Sequence, residues 1–228
     1  MNRLEPLRWR LDASPQALVS AVRAVHPQAP PLVLRIDRRG NPAALLRERL
    51  AATLTPQEWR RHDAFRLQPA RERFLLGRGV LRLLLGCWLD REPDAVTIAL
   101  GSHGKPFCPG GPEFNLSHSG DLVLLALHPC RPVGVDVEQR RPDLNWEPIA
   151  RRMFGADLVE ELLRRPELEQ RPAFLQNWCR LEAELKAAGW GIAAAPPPER
   201  RSVACLHWTL ALPEGYLGHA ALLASPPG

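Results

Sequence analysis

Val133, Val135 and Val137 alternate with Gly134, Asp136 and Glu138. A period of two is the repeat of a β-strand, so the valines share one face and the two carboxylates share the other. Any fold that accepts this segment must cover the valine face, and it then sets Asp136 beside Glu138 on the opposite, exposed face. About forty residues further on, Trp178, Glu182 and Lys186 recur at every fourth position. That spacing stacks side chains along one side of an α-helix. If the strand and helix meet, three carboxylates and an ammonium converge, a set suited to a divalent cation bound to a phosphate substrate. Taken singly, each segment also reads as ordinary surface. An Asp-x-Glu repeat commonly lies on the wet face of a strand, and a Glu–Lys pair four apart is commonly a surface ion pair worth about 0.3–0.5 kcal/mol.

The basic residues shift that balance. Of 30 Lys and Arg residues, only Lys105 and Lys186 are lysine. In so arginine-rich a chain, the two lysines suggest positions that need a compact ammonium instead of a guanidinium fork. Charge is also uneven along the chain. Residues 1–120 carry a formal +7 and residues 121–228 a formal −2, within a net +5. One half is therefore suited to a polyanionic ligand and the other to carboxylate chemistry.

The remaining pattern is α+β. Pro15 to Val25 suits a short helix, Leu32 to Ile36 a strand and Ala43 to Leu54 a helix. Thr55-Pro56-Gln57-Glu58 is a helix start, with Thr55 as N-cap and Glu58 completing a capping box. That helix is expected to run to Leu67, with another from Arg71 to Trp88. Ala95 to Leu100 suits a strand, followed by a Gly- and Pro-bearing loop at 101–106. Three strands are expected at Phe114–Leu116, Leu122–Leu127 and Val133–Glu138, then helices over Trp146–Leu163 and Pro172–Ala188. The latter stops at Gly189, a natural C-cap. A Pro-rich loop from Gly191 to Arg201 precedes strands at Val203–Leu212 and Leu217–Ala224.

Hydrophobic content of 45% and charged content of 24% are those of a soluble globular chain. The longest apolar run, Leu122 to Leu127, is far too short to span a membrane. The N-terminal segment has no apolar signal core, so a cytoplasmic location is expected. Five widely spaced cysteines form neither a zinc pattern nor a disulfide framework, and reduced thiols are expected. Arginine is dispersed without interleaved aromatics, which argues against nucleic acid as a partner.

The same segments carry a family resemblance. Gly134-Val135-Asp136-Val137-Glu138 followed by Trp178-x-x-x-Glu182-Ala183-x-x-Lys186 resembles the signature of the Sfp-type 4′-phosphopantetheinyl transferases. Gly104-Lys105-Pro106, Phe114-Asn115-Leu116-Ser117-His118-Ser119-Gly120 and an arginine-rich stretch ending Leu76-Gly77-Arg78 agree in order and spacing. The resemblance spans about residues 54 to 192.

It implies two similar α/β halves related by a pseudo-twofold, with the active site at their junction. The division is expected near residue 130, giving a basic half at 1–130 and a carboxylate-bearing half at 131–228. The implied activity transfers 4′-phosphopantetheine from coenzyme A to a serine of an acidic apo carrier protein, acyl or peptidyl, with 3′,5′-ADP as leaving group. Asp136, Glu138 and Glu182 are expected to hold Mg2+. Asp136, Glu182 and Lys186 are expected to be catalytic, with Glu182 accepting the serine proton. Arg61, Arg73, Lys105, Pro106, Ser117 and His118 are expected to contact coenzyme A, with Lys105 and His118 on its 3′-phosphate. A monomer suffices, because the site lies within one chain.

Carrier docking is expected at Ile149 to Phe154, through Arg151 or Arg152 and apolar contact from Met153. Leu181 departs from the family, which commonly has lysine there, and lysine is expected to be tolerated at that position. Two other readings stand beside the transferase. One is a metal-dependent nuclease built on Asp136-x-Glu138 and Glu184-x-Lys186, which requires the second pair on a strand. The other is a non-catalytic carrier-binding module, suggested by Leu181.

Overall fold

The computed structural model describes residues 2–10, 13–39, 48–191 and 203–224. Two four-stranded sheets lie back to back between two long helices. In chain order the strands are β1 (Asn2–Leu4), β2 (Leu7–Arg8), β3 (Leu32–Asp37), β4 (Ala99–Leu100), β5 (Pro106–Phe107), β6 (Glu113–Ser119), β7 (Leu122–His128), β8 (Val133–Gln139), β9 (Cys205–Leu210) and β10 (Tyr216–Leu223). The helices are α1 (Pro15–Arg23), α2 (Pro56–Ala64), α3 (Gln68–Leu89), α4 (Glu147–Met153), α5 (Ala156–Arg164) and α6 (Glu167–Ala187). The first sheet has the order β2-β3-β7-β6 and the second β1-β9-β10-β8, while β4 and β5 form a separate two-stranded ribbon. The architecture is α+β, as the sequence pattern requires.

Three apolar layers hold the two sheets, α3 and α6 together, and a fourth cluster around Phe174 holds α4 and α5 on α6. Leu34, Ile36, Phe114, Val123, Leu125 and Leu127 on one face of the first sheet pack under Leu76, Val80, Leu81 and Leu85 of α3. The opposite face offers Val33, Leu122, Leu124 and Ala126 to Val133, Val135, Val137, Trp208, Ala220 and Leu222 of the second sheet. The outer face of the second sheet is covered by α6, whose Ala183 and Ala187 meet Ala221 of β10. Each large aliphatic side chain fully buried in such a layer stabilises the fold by about 1.5–3 kcal/mol.

Because β7 faces apolar layers on both sides, all seven of its residues are buried. The valine row of β8 points into the middle layer as its period predicts. The expectation of a wet carboxylate face is overturned, because α6 covers it and Asp136 is only 4% exposed. The expected domain cut falls in the turn between β7 and β8. There His128 Nδ1 accepts the N–H groups of Cys130 and Arg131. The first residues nevertheless cross over, since β1 pairs in parallel with β9 of the second sheet.

Several boundaries differ from the sequence expectation for identifiable reasons. The capping box at Thr55 is present, with Glu58 N–H donating to Thr55 Oγ1 at 3.3 Å and Thr55 N–H to Glu58 Oε2 at 3.0 Å. Glu58 then serves a second purpose: it meets Arg82 Nε at 2.6 Å, and Arg82 also donates to the carbonyls of Pro93 and Val96. Those carbonyls belong to a 3₁₀ turn and its exit, so only Ala99–Leu100 remain of the strand expected from Ala95. The helix expected over 146–163 is two helices. Phe154 leaves helical geometry to seat its ring against Phe174, and Gly155 starts α5. Helix α6 begins at Glu167, so Pro172 lies inside it. Of the helix expected at 43–54, residues 48–51 are helical and 43–47 lie outside the described residues. Most of the Pro-rich loop expected at 191–201 also lies outside them.

Among the described glycines, the tightest surroundings are at Gly134. A Cβ built there would lie 2.0 Å from the Ala183 carbonyl oxygen and 2.5 Å from the Ala187 amide nitrogen. Only a glycine lets the backbone of α6 rest on β8 at this distance. Gly134→Ala is therefore expected to cost about 3 kcal/mol or more, since both obstructing atoms are backbone. A thermal melt should read this as a fall of roughly 6–12 °C in Tm.

Candidate active site

The helix and strand singled out in the sequence do meet. Lys186 Nζ on α6 lies 2.6 Å from Asp136 Oδ1 on β8 and 3.9 Å from Glu182 Oε2 one turn back. Trp178, the third member of the helical row, stacks on Phe174 with ring centroids 6.0 Å apart and supports the helix from its apolar side. The helix ends where expected, with Gly189 at φ +77° and Trp190 N–H returning to the Leu185 carbonyl.

Burial and mutual repulsion dominate the electrostatics. Burial, followed by the charges of Asp136 and Glu138, pushes the Glu182 carboxyl up to about 7, against the opposing pull of Lys186. Burial and Asp136 also raise Glu138, opposed by a hydrogen bond from Ser119. Lys186 is raised, with the attraction of Asp136 and Glu182 outweighing its burial. Asp136 Oδ2 is buried and has no hydrogen-bond partner. Among the described residues, no three His, Cys, Asp or Glu side chains are already gathered to hold a metal ion. As it stands, Oδ1 of Asp136 is taken by the Lys186 ammonium.

A second hollow of about 270 Å³ opens on the other side of β6. Arg61, Arg73, Arg78, Pro106 and His118 line it together with apolar walls that include Phe65 and Phe74. Arg73 donates to the Gly120 carbonyl at 2.8 Å, yet its Nε is buried without a partner. Arg61 lies over the Phe74 ring at 5.6 Å. Arg78 is lowered by burial and by its neighbours Arg82 and Arg61, with Glu58 opposing. Burial and then Arg73 lower His118, which leaves the ring neutral near pH 7. This is a basic cavity with an unused donor, the arrangement that suits an anion.

Four of the six residues expected to contact coenzyme A thus share one cavity, and two do not. Lys105 donates instead to the carbonyls of Val133 at 3.1 Å and Ala187 at 3.3 Å. The second of these is an end carbonyl of α6, so the lysine caps that helix from the opposite half of the molecule. Ser117 points away from the hollow and donates to Asp136 Oδ1 at 2.8 Å. Strand alternation is the cause, since His118 and Ser117 are neighbours and must face opposite ways.

Sequence reasoning missed Arg78 as a lining residue, and it missed Asn115 and Ser119 as partners of β8. The period-two row Asn115-Ser117-Ser119 was the available signal for the last two. Met153 and Phe154 are buried, which removes the apolar contact expected for carrier docking, while Arg152 is exposed. The nuclease geometry is overturned, because Glu184 and Lys186 lie on a helix and Glu184 turns to Arg180 and His207.

Residues 132–217 match the family model of the 4′-phosphopantetheinyl transferase superfamily. The 4′-phosphopantetheinyl transferase AcpT of Escherichia coli is 36% identical over 62% of this chain and 72% of its own length. The chain belongs to this superfamily. It is also similar to the 4′-phosphopantetheinyl transferase HetI of Nostoc sp., at 41% identity over 63% of each chain. The 4′-phosphopantetheinyl transferase Sfp of Bacillus subtilis is 28% identical over 64% of this chain and 65% of its own. The chain spans 63% of HetI and 59% of a putative 4′-phosphopantetheinyl transferase of Synechocystis sp.. Among the described residues, no helix is long and apolar enough to cross a membrane.

Two consequences of the site geometry are open to measurement. Between pH 4.5 and about 7 the folded protein keeps the Glu182 proton that the unfolded chain has already lost. Stability must therefore fall as pH rises through that window, by up to about 3 kcal/mol. Urea melts without divalent cations at pH 5, 6, 7 and 8 should show the decline, and Glu182→Gln should flatten it. Leu181 is 7% exposed in the cluster of Trp146, Met153, Phe174 and Leu185. Burial argues against the expectation that lysine is tolerated there, since its ammonium would enter an apolar layer. Leu181→Lys should lose about 2–4 kcal/mol in the same melts.

Proposed function

We infer that the protein transfers the 4′-phosphopantetheine group of coenzyme A to a serine of an acidic apo carrier protein, acyl or peptidyl. The observation that carries this reading is the position of β6 between the two sites. On one side Ser117 and Ser119 reach the carboxylates of β8, and on the other His118 faces a basic cavity with an unpaired arginine donor. A ligand that serves both sides needs separate phosphate groups, one of them meeting a cation. The 3′-phosphate and pyrophosphate of coenzyme A fit that demand.

Arg61, Arg73 and His118, with Arg78 beside them, receive the 3′-phosphate, and Pro106 walls the same cavity. Asp136, Glu138 and Glu182 fit Mg2+, which binds carboxylate, phosphate and water oxygens. The orphaned Asp136 Oδ2 and the raised Glu182 are what such a cation would satisfy. When bound, Mg2+ supplies neutralisation of the pyrophosphate charge.

The chain's own part is positioning and proton transfer. Glu182, poised near 7, accepts the proton of the carrier serine as its oxygen attacks the phosphate that bears pantetheine. The bond from that phosphorus to the ADP oxygen breaks, and the Lys186 ammonium stabilises charge on the departing phosphate. Arg152, which is exposed, would meet an acidic carrier on this reading. Five free cysteines fit action in the reducing cytoplasm.

The test is to incubate the protein with coenzyme A, Mg2+ and an apo carrier and to weigh the carrier. A gain of roughly 340 Da, abolished by EDTA, is expected for transfer of the phosphopantetheinyl group. Lys186→Ala should lower kcat by about 10²-fold or more. A carrier that binds without gaining mass would favour the non-catalytic reading.

A further inference from the structure

The two sheets end in edge strands that face each other, β6 in the first and β8 in the second. Edge strands normally join by a backbone ladder or stay apart. Here a row of side chains takes the place of the ladder. Asn115 Oδ1 accepts the Val135 N–H at 3.0 Å, Ser117 Oγ accepts the Val137 N–H at 3.3 Å, and Ser119 Oγ accepts the Gln139 N–H at 3.0 Å. Both strands advance with a period of two, so the three bonds repeat in step.

The serine hydroxyls carry a further consequence. A hydroxyl has one proton and two lone pairs. Once its oxygen accepts a β8 amide, its proton must go elsewhere, and in both cases it goes to the adjacent β8 carboxylate. Ser117 donates to Asp136 Oδ1 at 2.8 Å and Ser119 to Glu138 Oε2 at 3.0 Å. The second lone pair of Ser117 faces Lys186 Nζ at 3.3 Å, which uses its full capacity. Nothing remains with which that hydroxyl would bind a phosphate.

We propose that Ser117 and Ser119 are positioning residues that aim Asp136 and Glu138, with Asn115 setting the register between the halves. The proposal rests on the reading of those carboxylates as cation ligands. Each serine fixes one carboxylate oxygen and leaves the other for the cation, and the aim depends on the first half docking in register on the second. Alanine at either position frees a carboxylate rotor and leaves a β8 amide without its acceptor.

Ser119 is the better test, because it is only partly buried. Mn2+ binding, followed by electron paramagnetic resonance in the presence of coenzyme A, serves as a readout separate from turnover. Ser119→Ala should weaken Mn2+ binding by about 10-fold and raise the Mg2+ concentration for half-maximal rate to match, consistent with the loss of an outer hydrogen bond to a metal ligand. The coenzyme A KM at saturating Mg2+ should stay within about twofold, and Ser119→Thr, which keeps the hydroxyl, should restore Mn2+ binding. Ser117→Ala should behave in the same sense. A rise in coenzyme A KM with unchanged Mn2+ affinity would make the serines phosphate contacts and overturn the proposal. Equal Mn2+ binding by the wild type and Ser119→Ala would overturn it too. Mn2+ binding that survives Asp136→Ala would instead remove the metal reading, and the positioning role with it.

Discussion

The contact between α6 and β8 is the constraint on which the site depends. Gly134 allows the backbone near Ala183 and Ala187 to lie directly on the strand, and Asp136 and Glu138 follow along the same face at strand spacing. With the helix so near, Lys186 and Glu182 are delivered to the carboxylates without long side-chain excursions. Small residues maintain the approach, since Ala183, Ala187 and Ala221 make up the intervening layer. The depth of that seat excludes water, and this exclusion produces the perturbed carboxyl at Glu182. In water, three carboxylates with one lysine would repel weakly. Under α6, burial and the charge of Asp136 raise the proton affinity of Glu182 and Glu138.

Two incomplete electrostatic balances face each other across β6. The carboxylate cluster has one ammonium for three acids, and the cavity beyond has arginines with a buried donor unspent. Either imbalance alone would be a liability for folding. On the function proposed above, a ligand would bring phosphates to the basic side and a cation to the acidic side. Strand alternation keeps the two apart by only the thickness of one backbone. The turn after β6 is held firmly: Arg73 takes the Gly120 carbonyl, Arg38 pairs with Asp121 and Glu72, and the Tyr216 hydroxyl accepts the Asp121 N–H. Fixing that turn fixes His118 and Ser119 on either face of the strand.

Much of this was legible from spacing alone. The valine alternation in β8, the helical row ending at Lys186, the capping box at Thr55 and the stop at Gly189 are local signals, and each has a local cause in backbone geometry. What spacing did not show lies in residues whose partners are distant in the chain. The motif around Lys105 gives no sign that its ammonium caps α6 some eighty residues away. Ser117 was grouped with His118 because they adjoin, although alternation sends their side chains to opposite sites.

The sequence by itself determined the elements and the chemical types at their faces, because strand and helix periods are properties of a few consecutive residues. It determined that Asp136 and Glu138 share one side of a strand and that Glu182 and Lys186 share one side of a helix. Only the tertiary structure decided that α6 buries the carboxylate face, that Leu181 belongs to an apolar layer and that β6 locks to β8 through side chains. Those outcomes depend on which surfaces of distant segments exclude water together, and no local period encodes that choice.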